Sequence, residues 1–264
     1  MVTRPLKRFG QNFLQNKSIA REIVEALQLK PNDTIIEIGP GKGVLSRFIL
    51  KQEFSHYFAI EIDSRLLTEL RPIFSSNRRS NLIIGDIQDF SFANYSRRNK
   101  CRIKAVGNIP YNITSSIMFL LLDNYQYIKE SIFMIQREVA ERLLALPGTK
   151  EYGILSILVG TQAEIKLIRH IKAENFFPMP KVNSTVVKLT YHEKIEGVND
   201  ISNFRKIIRQ SFQMRRKTLK NNLVRFLDSD VIYKINKISL SRRPEELSIN
   251  EFKILVNEIE KLQK

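Results

Sequence analysis

A short apolar run that ends abruptly in glycines restricts this chain more than any other feature. Thr34-Ile35-Ile36-Glu37-Ile38 leads directly into Gly39-Pro40-Gly41-Lys42-Gly43. A brief β-branched run of this kind suits a strand buried on both faces of a parallel sheet. The glycines let the main chain turn and approach a ligand without Cβ clashes. Helical spacing resumes over 44–50.

The same rhythm repeats along the chain. Residues 18–29 place Ile19, Ile23, Val24, Ala26 and Leu27 on one side of a helix, which Pro31-Asn32-Asp33 breaks. Strands are expected over 57–62, 81–86, 103–108 and 131–135, and helices over 64–74, 116–122 and 137–146. Such alternation predicts an α/β fold, a doubly wound parallel sheet covered on both faces. Residues 154–165 remain apolar, and 182–189 read as a late hairpin strand. Past His192 the texture changes to a polar linker over 193–200, then to helical periodicity with dense positive charge. Two domains are therefore expected: 1–195, a catalytic domain with a basic N-terminal arm, and 196–264, a small all-helical domain.

In open α/β sheets, ligands bind beyond the carboxyl ends of the strands, where strand order reverses. Glu61 closes the second expected strand, where a carboxylate can accept both hydroxyls of a ribose. Asp86 closes the third, placed to accept from an adenine amine, and Asn108 closes the fourth. The glycine spacing is G-x-G-x-G rather than the phosphate-binding G-x-G-x-x-G, and no Lys-Ser/Thr pair follows it. A ligand with ribose and adenine but no phosphate fits these groups, and S-adenosylmethionine is that ligand. Gly39, Gly41, Glu61, Asp86 and Asn108 are its expected contacts.

Asn108-Ile109-Pro110-Tyr111 adds an amide, a main-chain carbonyl and a flat ring beside that pocket. Exocyclic amines of bases are poor nucleophiles because the lone pair is delocalised into the ring. Hydrogen bonds accepted by the Asn108 side-chain oxygen and the Pro110 carbonyl would localise that pair on nitrogen. Tyr111 offers a stacking face. Phe176, in Asn175-Phe176-Phe177-Pro178-Met179-Pro180, is a candidate for the opposite face, on a loop stiffened by prolines. A core role for one or both phenylalanines is the competing reading. A base held between two rings must leave its stack.

Lysine and arginine total 43 against 27 acids, a net charge of +16. That surplus favours a polyanionic partner. The single Cys101 excludes an internal disulfide and a cysteine zinc site, and His56, His170 and His192 show no metal spacing. No metal is expected. No stretch approaches the ~20 apolar residues of a membrane span, and no apolar segment follows the basic start. A cytoplasmic protein without membrane association is expected.

The ordered set of motifs resembles the ribosomal RNA adenine N6,N6-dimethyltransferase family. It runs from Arg8-Phe9-Gly10-Gln11-Asn12-Phe13-Leu14 through Glu37-Ile38-Gly39-Pro40-Gly41, Gly85-Asp86 and Asn108-Ile109-Pro110-Tyr111-Asn112 to Phe176-Phe177-Pro178-Met179-Pro180-Lys181-Val182, and on to Arg215-Arg216-Lys217-Thr218-Leu219. The resemblance implies a Rossmann-like class I methyltransferase fold. It also implies that Asn12 and Leu14 join Gly39, Glu61, Asp86 and Asn108 around S-adenosylmethionine. Asn108, Pro110 and Tyr111 would grip the target adenine, with Phe176 as stacking ring. The stretch 212–219 is similar to the housekeeping branch, which dimethylates two adjacent adenines near the 3′ end of small-subunit (16S) rRNA during ribosome assembly. Macrolide-resistance enzymes acting on large-subunit rRNA usually lack that stretch. Met179 departs mildly from the family, in a position often small or proline.

Arg205, Lys206, Arg209, Arg215, Arg216, Lys217, Lys220 and Arg225 lie on helical sequence almost free of acids, with Arg242 and Arg243 further on. Helix-face pairing does not explain them. They read as an rRNA-docking surface, chiefly Arg215, Arg216, Lys217 and Lys220, for the immature small ribosomal subunit. A monomer is expected. The alternatives are a large-subunit rRNA methyltransferase, or an assembly or transcription factor that keeps the fold without the chemistry.

Overall fold

The glycine turn follows a strand whose residues are all buried. In the computed structural model the described residues are Pro5, 10–75, 77–214 and 216–263. The first elements are β1 (Phe13–Leu14), α1 (Lys17–Glu25), β2 (Thr34–Ile38), α2 (Ser46–Ile49), β3 (His56–Glu61), α3 (Leu67–Phe74) and β4 (Ser80–Ile84). Next come α4 (Phe92–Asn99), β5 (Ile103–Asn108), α5 (Thr114–Asp123), β6 (Ile128–Gln136), α6 (Arg137–Leu143), α7 (Ile154–Gln162) and β7 (Ala163–Ile171). The chain ends with β8 (Phe176–Phe177), β9 (Ser184–Tyr191), α8 (Ile201–Ser211), α9 (Leu219–Leu223), α10 (Ser229–Lys234) and α11 (Ile249–Leu262).

Seven strands form one sheet in the order β4-β3-β2-β5-β6-β9-β7. The first five are parallel. β9, which falls where a late hairpin strand is expected, is antiparallel to β6. The reason is the direction of approach: Ser184 pairs with Gln136, so β9 begins at the carboxyl end of β6 and runs back along it. From β2 the chain builds outward through β3 and β4, then returns to β5 on the other side. The carboxyl ends of β2 and β5 therefore flank a switch point, where this architecture leaves a crevice. A separate pair, β1 with β8, sets Phe13 opposite Phe177 and Leu14 opposite Phe176.

Local chemistry sets the element ends. Asn16 caps α1 by accepting from the amides of Ser18 and Ile19. That helix stops short of residue 29, and the carbonyls of Ala26, Leu27 and Gln28 accept from the ammoniums of Lys188 and Lys104. Val24, Ile35, Val106, Ile132, Met134 and Val186 belong to one buried apolar cluster around the sheet.

The chain divides into two units, 1–140 with 164–193, and 141–163 with 194–264. A single cut at 195/196 misses the segment 141–163. The apolar run expected to continue the first domain is α7, buried at Ile157, Leu158 and Val159. It packs on α8 and α11 of the second unit, where a Cβ at Gly160 would lie 2.7 Å from Ile249. Within that unit Asp200 caps α8, and Ser248 with Glu251 form a capping box on α11. Among the described residues, no helix is long and apolar enough to cross a membrane.

Candidate active site

A cavity of about 300 Å³ lies at the switch point. Asn12, Leu14, Gly39, Gly41, Glu61, Asp86, Asn108, Pro110 and Tyr111 all line it. Gly39 and Gly41 have φ of +66° and +59°, which side chains rarely adopt. A Cβ on Gly41 would also press on the Phe13 ring at 2.9 Å.

Glu37 and Glu61 are buried, and no cation pairs with either among the described residues, whereas Asp86 is half-buried. Glu61 accepts from the Gly41 amide at 3.0 Å and from the Asp63 amide at 2.9 Å. Burial raises its pKa, and those amides oppose the rise. The carboxylate can accept more bonds than these, which leaves capacity for a ligand hydroxyl. Glu37, unassigned from sequence, also lines the cavity. It accepts from Ser46 Oγ at 2.6 Å and from the Tyr57 hydroxyl, and burial lifts it to about 7. Asp63 differs, because the Arg65 guanidinium holds it below its usual value. Asp86 lies beyond β4 rather than within it, and caps the following turn by accepting from the Gln88 amide at 2.9 Å.

Asn108 is the decisive side chain. Its Nδ2 donates to the main-chain carbonyl of Asn12 at 2.7 Å. A carbonyl can only accept, so the amide must present nitrogen there, which leaves Oδ1 as the acceptor. Tyr111 is half-buried, and its hydroxyl pairs with Ser184 Oγ at 2.7 Å, which fixes the ring.

Two of the expected groups are engaged within the protein itself. The Pro110 carbonyl already accepts from the Ile113 amide at 3.1 Å and Thr114 Oγ1 at 3.2 Å. The Tyr111–Ile113 turn consumes that acceptor, whereas Ile109, one peptide earlier, also lines the cavity. Phe176 is only 4% exposed and belongs to the core cluster, while Phe177 is 57% exposed. Strand alternation sends neighbours to opposite sides, and it turned Phe176 inward.

Ile62, 49% exposed at the cavity wall, is indistinguishable in sequence from one more strand residue. In the second unit Arg216, Lys217 and Lys220 are exposed, whereas Arg215 lies outside the described residues. Lys220 Nζ sits 5.5 Å from the Tyr233 ring centre. Arg205 is turned to Gln162 and Arg242 to Glu251, so these two serve the helices rather than an open patch. Arg242 and the Ser248 amide hold Glu251 down at about 2.

A profile of the ribosomal RNA adenine dimethylase family matches residues 3–261. The chain belongs to this family. It is 39% identical over 258 residues to the "Ribosomal RNA small subunit methyltransferase A" of Prosthecochloris aestuarii, covering 97% of this chain and 95% of that protein. A solved dimethyladenosine transferase from Plasmodium falciparum aligns with a TM-score of 0.80 at 26% identity, over 95% of this chain and 98% of that one. The 23S rRNA methyltransferase ErmE aligns with a TM-score of 0.69 at 20% identity, over 94% and 100% of the two chains, a likeness of fold alone. The fold is that of class I methyltransferases, and with the dimethylase family it implies use of S-adenosylmethionine. The cavity suits that molecule: Gly39 leaves open space, Glu61 is a buried acceptor, and Leu14, Ile62 and Ile87 give apolar walls.

Proposed function

We propose that this chain is an S-adenosylmethionine-dependent rRNA (adenine-N6,N6)-dimethyltransferase. It acts on two adjacent adenines in a loop near the 3′ end of small-subunit (16S) rRNA, as a step of small-subunit assembly. The carrying observation is the locked Asn108 amide, whose free oxygen can accept from an exocyclic N–H.

The donor supplies a methyl group on a cationic sulfur, so the protein contributes alignment and electrostatics. Glu61 would accept ribose hydroxyls, Asp86 the adenine amine of the donor, and Gly39 and Gly41 would admit close main-chain approach. Asn12 and Leu14 close the same pocket from β1. Asn108 Oδ1 would take one N6–H of the target base. We assign the second to the Ile109 carbonyl, since Pro110's is occupied. Both bonds draw the nitrogen toward sp³ and expose its lone pair. Tyr111 stacks on the extruded base. Phe176 anchors β8 on this reading, and would serve as the second ring only by leaving the core.

Arg215, Arg216, Lys217 and Lys220 would dock rRNA of the immature small subunit, with the protein acting as a cytoplasmic monomer. Reversing Arg215, Arg216 and Lys217 to Glu is expected to weaken substrate binding and reduce its salt dependence, while donor affinity stays unchanged. Incubation with labelled donor and immature small subunits tests the whole reading. Label should appear as N6,N6-dimethyladenine in small-subunit rRNA, and about 10²–10³-fold more slowly in Asn108→Ala. Label in large-subunit rRNA, or none, would refute it.

A further inference from the structure

The loop leaving β8 carries an apolar surface with no part in the methyl transfer itself. Phe177, Met179 and Val182 are 57%, 69% and 44% exposed, and Lys181 among them is exposed. Pro178 and Pro180 restrict the backbone between these side chains. Phe176 roots the loop in the core beside Leu14, and Phe177 sits opposite Phe13 in the β1–β8 pair. Phe13 and Leu14 both line the cavity, so the loop springs from its wall. Large apolar side chains held out on a stiff loop mark a contact surface. A bare ring with an ammonium close by in sequence matches a nucleobase face and its phosphate.

We infer that loop 177–182 is a stacking platform for the nucleotide beside the target adenine, with Phe177 against its base and Lys181 toward its phosphate. This rests on the function proposed above. Extruding one base strips its neighbour of a stacking partner. Phe177 replaces that partner at the rim while Tyr111 holds the extruded base within. Neither contact touches the reacting nitrogen, so the platform acts on substrate binding rather than on the transfer step.

The test begins by mapping the methylated adenines made by the wild-type protein. 2-Aminopurine, whose emission falls on stacking, is then placed on either side of the mapped site in reconstituted small subunits. Wild-type protein and Phe177→Tyr are expected to quench one of the two positions. Phe177→Ala and Phe177→Leu should leave that position bright and raise KM for the particle about tenfold, the loss typical of one base–aromatic stack. Their kcat, donor affinity and melting temperature should match wild type. Quenching at neither position, wild-type KM in Phe177→Ala, or full retention by Phe177→Leu overturns the platform. Absence of dimethyladenine with the wild-type protein overturns the underlying function instead.

Discussion

The two ends of the main sheet hold buried charge in opposite ways. Toward the amino end, Lys104 Nζ lies 3.0 Å from both Asp33 and Glu130, and Lys188 lies 2.7 Å from Glu130. The same ammoniums cap the end of α1. At the carboxyl end, Glu37 and Glu61 are just as deeply buried, but no cation pairs with either among the described residues. Burial raises both, and only amides and hydroxyls oppose it. In one cluster every buried charge has an opposite charge beside it. The other keeps acceptor capacity that a ligand can use, and the structure bears its electrostatic cost.

Breaking the paired cluster should have the largest effect on folding. Lys104→Met strips Asp33 and Glu130 of a partner and is expected to lower stability by about 3–5 kcal/mol. Chemical denaturation reads the loss, and kcat of the remaining folded protein should be unchanged. A fallen kcat would show that the two ends are not separable.

Asn108→Ala comes next. Removing one preorganised polar group from the reacting centre is expected to reduce kcat by about 10²–10³-fold. Single-turnover methyl transfer measures this, with melting temperature as the control. A loss of stability comparable to that of Lys104→Met would erase the contrast between the ends.

Glu37 gives a pH signature. The folded chain binds its proton more tightly than the unfolded chain, so this contribution to stability is full below the unfolded pKa of about 4.5 and is lost as pH rises through about 7. Glu37→Gln imitates the protonated acid and keeps an acceptor for Ser46 and Tyr57. It should gain on the order of 2–3 kcal/mol over wild type at pH 8 and nothing at pH 4. Melting curves across that range decide it; parallel profiles would mean the carboxyl is not perturbed. Smallest is Tyr111→Phe, which gives up the bond to Ser184 for about 1 kcal/mol while the ring remains. Methylation should stay within about threefold of wild type.

Much of this arrangement was legible in the chain. The strand expected over 103–108 is β5 (Ile103–Asn108), and Glu61 does close β3. Periodicity and turn residues carry that information locally. α4 (Phe92–Asn99) escaped because its sequence is mostly polar, with Phe92 its only buried apolar residue. The segment 141–163 looked like more of the first domain, since an apolar helix does not announce which unit will bury it. Phe176 and Phe177 are identical side chains, and only the pairing with β1 decides which turns inward. The orientation of Asn108 depends on a main-chain group 96 positions away, which no local pattern encodes.

That last contact has an unusual genetic consequence. A carboxamide is nearly symmetrical in shape, and turned end for end Asn108 would offer hydrogens to an amine that also has only hydrogens to give. What forbids the reversal is a peptide oxygen, present whatever residue occupies position 12. For this duty the main chain at position 12 tolerates no displacement, so an insertion or deletion beside it would silence the enzyme even with every pocket side chain kept.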